Sequence, residues 1–155
     1  MPGTVYLPHI DLLLQALRIN RERLASRSKI AIDARLLRAL LQALAATLPF
    51  SSEFYLKTYS DVADAYAAGK IPDLHQHFIE SGYLEGRQGH APEVDEDYYR
   101  ATYRDVAQAV EKGELVSGTE HYLRSGAAEG RAPNQPTQLA IDSWMSLLRD
   151  DSARG

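Results

Sequence analysis

Leucines set the first pattern along this chain. Ile10, Leu13, Leu14, Leu17 and Leu24 recur at helical spacing after Pro8, a residue suited to a first helical turn. Leu37, Leu40, Leu41, Leu44 and Leu48 draw a second stripe at i, i+3, i+4, i+7 and i+11, widened by Leu36. A polar turn around Ser26–Ser28 separates them, with Ser28 as the expected N-cap of the second helix. Two apolar faces joined by a short connection predict an antiparallel helical hairpin within residues 1–50. Shorter amphipathic runs follow, punctuated by glycine. Ser51 or Ser52 should cap a helix over 53–59, Asp61 should begin one over 62–68 that stops at Gly69, and a third, over 73–81, should end at Gly82. Near the end, Thr137 is the expected cap of a helix carrying Leu139, Ile141, Trp144, Leu147 and Leu148, packed back through Trp144. Asp150–Gly155 should fray. No stretch sustains an alternating β pattern, so the predicted class is all-α.

The middle of this pattern occurs twice. Residues 53–89 reappear without a gap as 97–133. Tyr55, Thr58, Tyr59, Asp61, Val62, Gly69, His77, Ser81, Gly82, Glu85, Gly86 and Arg87 are matched in order by Tyr99, Thr102, Tyr103, Asp105, Val106, Gly113, His121, Ser125, Gly126, Glu129, Gly130 and Arg131. In the second copy Asp95 or Glu96 opens the first helix, Asp105 begins the second, and Thr119–Ser125 precedes Gly126. The expected organisation is therefore a hairpin (1–50), two tandem three-helix modules (51–92 and 93–134) and a capping C-terminal helix with its tail (135–155), forming one compact domain. A repeated module argues for binding or scaffolding over catalysis, and two copies are few for an array, so the flanking helices should bury open module faces.

The elements Tyr98–Tyr99, Tyr103, Asp105–Val106–Ala107, Gly113, His121–Tyr122–Leu123, Gly126, Glu129–Gly130–Arg131 and Pro133 give the repeat a recognisable form. It resembles a short tandem bacterial repeat of the type YYLxxYPDVAxA…G…HYLxxGxxEGRxP. That repeat is found beside glycosyltransferases and methyltransferases of surface polysaccharide assembly and in large secreted calcium-binding repeat proteins. The likeness covers both copies, about half the chain. Ser60 and Arg104 replace the family's proline before Asp–Val, Asp73–Leu74 replaces the Ser117–Gly118 of the second copy, and Gly89 replaces the terminal proline. The resemblance implies a helical accessory module in a polysaccharide or cell-envelope setting, and it supplies no catalytic residues.

Composition narrows the alternatives. The apolar share of 45% and charged share of 25% are those of an ordinary globular chain, and a net charge of −4 favours solubility. The lack of cysteine excludes a disulfide framework and a thiolate metal site. The opening residues resemble neither a signal peptide nor a membrane span, so the chain is expected to be cytoplasmic, with leaderless export left open.

Four groups of residues are candidates for chemistry. Tyr55, Tyr59, Tyr99 and Tyr103 stand four apart within each copy, a face that stacks sugars if exposed and packs the module if buried; packing is the favoured reading. His77 and His121 are equivalent positions. Since His75 and His77 point about 200° apart on a helix, shared zinc coordination is disfavoured against a partly buried ring bonded to a helix carbonyl. Arg87 and Arg131, each after a glycine turn, suit either an external anion or an internal pair with Asp61 and Asp105, the latter favoured. Arg18, Arg21, Arg23, Arg27, Lys29, Arg35 and Arg38 form a basic patch that would attract an anionic polymer, but it lacks interleaved aromatics, and a solvated helix face is preferred.

Phosphate-loop, GxSxG, HExxH and calcium-loop motifs are absent from the sequence. The expected function is thus a non-enzymatic protein–protein adaptor without cofactor or metal, linked to bacterial polysaccharide or envelope assembly. A homodimer through the leucines of the hairpin belongs to this reading. The alternatives are a carbohydrate-binding protein using the repeat tyrosines and arginines, and a binder of anionic polymer or nucleic acid through the basic hairpin.

Overall fold

The computed structural model describes residues 6–149, and these are helical without a strand. The expected fraying of Asp150–Gly155 lies outside the described residues. The chain forms two compact units that divide at His90 and Ala91, between the modules.

Unit 1 begins with three helices rather than the expected two: α1 (Ile10–Leu17), α2 (Arg21–Leu24) and α3 (Ala34–Ala45). The stripe from Ile10 to Leu24 is not one helix. Arg18 takes a left-handed conformation (φ 53°), and the Ile19 N–H reaches back to the Leu14 carbonyl at 3.1 Å, which closes α1. Asn20 then caps α2 by accepting from the Arg23 N–H at 2.8 Å. Ser28 does not cap α3; Asp33 does, accepting from the Arg35 N–H at 2.8 Å, and Ser28 bonds Ser26 instead. The leucine stripe likewise does not close a hairpin. The buried residue of α3 is Ala45, α3 packs against the third helical segment of module 1, and Gln42 Nε2 donates to the Glu80 carbonyl at 3.1 Å. Leu37, Leu44 and Leu48 stay exposed.

Module 1 follows with α4 (Ser52–Thr58), α5 (Ser60–Ala67) and α6 (Leu74–His77), which runs into a π turn, π1 (Phe78–Gly82). Ser51 caps α4 through the Phe54 N–H, and Gly69 (φ +71°) takes the left-handed position after α5. Tyr55, Val62, Leu74 and Phe78 form the core, with Phe50, Leu56, Tyr59, Ile71 and Ile79 packed against it.

Unit 2 contains α7 (Glu96–Thr102), α8 (Arg104–Glu111), α9 (Gly118–His121), the π turn π2 (Tyr122–Gly126) and α10 (Gln135–Arg149). Asp95 caps α7 through the Tyr98 N–H at 3.0 Å. Asn134, not Thr137, receives the N–H bond at the start of α10, at 3.2 Å from the Thr137 nitrogen. Trp144 does not pack back: it is 65% exposed, and Met145 lies against Gly130 in its stead.

The third helical segment of each module ends at Gly82 and at Gly126 as expected, but it closes as a π turn. The Tyr83 N–H bonds the Phe78 carbonyl at 2.9 Å, and the Ala127 N–H bonds the Tyr122 carbonyl at 3.0 Å, the i→i+5 pattern of a π turn. A Cβ on Gly82 would overlap Tyr55 Oη, and one on Gly126 would overlap Tyr99 Oη. Glycine is required here for close approach.

Candidate functional site

In each module the first helix delivers two tyrosines four residues apart, and both turn inward. Tyr55 and Tyr99 are 0% exposed. Each hydroxyl shares a hydrogen bond with a histidine Nδ1, that of His77 at 3.1 Å and that of His121 at 3.0 Å. Burial pushes both phenols up to about 12, so they remain neutral hydroxyls. Tyr59 and Tyr103 pack edge-on against them. Their hydroxyls accept from the backbone N–H groups of Gln88 and Ala132, both at 2.7 Å.

The glycine turn that ends each module aims its arginine. Gly86 (φ +82°) and Gly130 (φ +71°) take the left-handed position, and the N–H groups of Arg87 and Arg131 bond the carbonyls of Gly82 and Gly126 at 2.9 Å. The side chains then fold back over the module. Arg87 donates to both Asp61 oxygens at 3.0 and 2.8 Å, and its Nε–H donates to Glu85 at 2.8 Å. Arg131 binds both oxygens of Asp105 at 2.9 and 2.8 Å and also pairs with Glu129. The guanidinium carbons stand 5.0 Å from the Tyr59 ring and 4.9 Å from the Tyr103 ring. These hydrogen bonds hold the Asp61 and Asp105 carboxyls below the ordinary range, that of Asp105 at about 2.

This arrangement decides what the repeat residues present to solution. Tyr55 and Tyr99 offer no ring face for a sugar, and Tyr59 and Tyr103 carry the arginines. Arg87 and Arg131 are 20% exposed, with both arms of the guanidinium on a carboxylate. His77 and His121 bond a tyrosine through Nδ1, where a helix carbonyl was expected. His75 stacks on Phe50, with centroids 4.8 Å apart, and its Nε2 is buried without a hydrogen bond. Among the described residues no three His, Asp or Glu groups gather as a metal site.

The modules differ at the start of their third helix. Glu96 accepts from the N–H groups of Gly118 and Thr119 and from the Thr119 hydroxyl, at 2.6 to 2.9 Å. In module 1 the equivalent positions are Ser52, Leu74 and His75, and the buried Leu74 and the Phe50–His75 stack fill that corner instead. The sequence difference at Asp73–Leu74 was visible; the role of Glu96 was not.

The basic patch is broken up by α1–α3. Arg21 pairs with Asp11 at 2.7 Å, Arg35 binds both oxygens of Asp33, and Arg23 reaches the Lys29 carbonyl at 3.4 Å. Arg18, Arg27 and Arg38 are exposed. What sequence reasoning did not find is the outer face of α10, where Leu139, Trp144, Leu147 and Leu148 lie open to solvent.

No helix among the described residues is long and apolar enough to cross a membrane. No family model, curated protein or solved structure matches this chain.

Proposed function

We propose that the chain is a non-enzymatic interaction module, an adaptor for bacterial polysaccharide or cell-envelope assembly. One observation carries the reading: the paired tyrosines and the arginines after the glycine turns are engaged within their modules, whereas α3 and α10 keep leucines and a tryptophan exposed. The inward-turned Tyr55 and Tyr99 count against a sugar platform built from the paired tyrosines. Ion pairs of Arg21 and Arg35 weaken the case for an anionic polymer. Exposed apolar helix faces are the surfaces that protein partners cover. The resemblance of the repeat supplies the polysaccharide setting.

The test is affinity capture of the tagged chain from the cells that make it, comparing the wild type with Leu37→Glu/Leu44→Glu. A recurring protein lost in the variant supports the adaptor. Polysaccharide recovered without protein sinks it and returns the glycan reading.

A further inference from the structure

Two modules built on one plan expose the chain to a folding error. α4 and α7 each offer a pair of tyrosines. The helices that follow bring an equivalent valine and aromatic ring, Val62 and Phe78 in one module, Val106 and Tyr122 in the other. By these residues alone, either first helix would enter either module. One chain holds the wrong partner at high effective concentration, and exchange of an identical element between copies is an easy route to dimers.

The modules part at the corner where the first helix meets the start of the third. In module 2, Glu96 Oε2 accepts from the Gly118 N–H at 2.9 Å, and Oε1 accepts from the Thr119 N–H and hydroxyl at 2.8 and 2.6 Å. The carboxylate fits because residue 118 has no side chain. A Cβ there would stand 2.9 Å from Glu96 Oε2 and 2.8 Å from Tyr99 Cδ1. In module 1 that position is Leu74, whose side chain is buried, and Glu96 is matched by Ser52. Phe50 stacks on the next residue, His75; the matching positions in module 2 are Val94 and Thr119.

We infer that Ser52 with Leu74, and Glu96 with Gly118, form a pairing code that assigns each first helix to the third helix of its own module. Size blocks one exchange. α7 set against α6 would drive the Glu96 carboxylate into the Leu74 side chain. Hydrogen bonding blocks the other. α4 set against α9 would bring Ser52, too short to replace a carboxylate that serves two backbone N–H groups and a hydroxyl. The buried Gly118 N–H would lose its acceptor, and a vacancy would remain where Leu74 fills module 1. Native pairing satisfies both corners and crossed pairing spoils both. The device works within one chain and between copies alike.

Erasing the difference between the corners tests the code. Glu96→Ser/Gly118→Leu gives module 2 the pair that module 1 carries, so crossed and native pairings become alike. The full chain, wild type and variant, is unfolded in urea, refolded at about 100 µM and diluted to about 1 µM before size-exclusion chromatography. A dimer held by surface contact parts on dilution, whereas one made by helix exchange must unfold first. The wild type should return at 17.2 kDa, and the variant should keep a share at twice that mass. Urea midpoints give a second reading. Glu96→Ser and Gly118→Leu should each lower the midpoint, and the double variant should be more stable than the two losses combined. Losses that simply add, or equal shares of the doubled mass in wild type and double variant, overturn the code.

Discussion

Gly82 lies so close to Tyr55 that a single added methyl group would occupy the space of its hydroxyl. Gly82→Ala should therefore cost about 1–3 kcal/mol, measured as a lowered urea midpoint. Removing the obstructing oxygen with Tyr55→Phe should recover part of that loss in the double variant, while costing about 1 kcal/mol alone through the bond to His77. Additive losses would mean that the two residues do not meet. The arginine pair gives a second case. Arg131→Ala should destabilise by about 1 kcal/mol, because Asp105 is largely exposed. Arg131→Lys should restore little of it, since an ammonium cannot span both oxygens of Asp105, reach Glu129 and lie flat on Tyr103. Full rescue by lysine, read from the same midpoints, would reduce the interaction to simple charge. At this scale the sequence was informative: duplicated tyrosines, arginines and aspartates identified the interacting set. It could not say that each histidine pairs with a tyrosine, because that contact depends on how the helices fold together.

Elements were legible where a cap, a stripe and a glycine agree. Ser51, Asp95, Gly69 and Gly113 do what their residue types suggest. The N-terminal region was misread because its apolar spacing survives a break at Arg18, a residue type that rarely takes the left-handed conformation. Asn20 and Asp33 carried the true capping signal, and each lay between leucine runs that dominated the pattern. Asp33→Ala should cost about 1 kcal/mol and speed amide exchange in the first turn of α3, whereas Ser28→Ala should leave that turn unchanged. Equal effects in an exchange experiment would return the cap to Ser28. The π turns were invisible for a different reason. Their i→i+5 bonds accommodate a tyrosine from another helix, and no local spacing records a contact with so distant a residue.

On the scale of the whole molecule, the paired carboxylates set the response to acid. Asp105 is held at about 2, below its ordinary value of 3.8, chiefly by its hydrogen bonds to Arg131. A carboxylate with a depressed folded-state pKa contributes fully above its unfolded value, and the contribution is lost as pH falls toward the folded one. The chain should thus lose stability between about pH 4 and pH 2, by about 1 kcal/mol from Asp105 after allowing for its exposure. Asp61 shifts in the same direction. Asp105→Asn should flatten the stability–pH curve in that window in thermal scans; an unchanged slope would exclude the pair as its cause. The all-α class was legible at this scale, because helical spacing shows without knowledge of packing. The exposed face of α10 was not, since a leucine stripe reads alike whether covered or bare. One further feature reaches beyond stability. The Ser51 N–H bonds the Gly89 carbonyl at 2.8 Å, and the Asp95 N–H bonds the Pro133 carbonyl at 3.0 Å, so the chain leaves each module where it came in. A segment whose two ends meet can be duplicated, deleted or circularly permuted with little demand on its surroundings. Each module is in that sense a cassette, and copy number is a variable that gene duplication can change without redesigning the modules themselves.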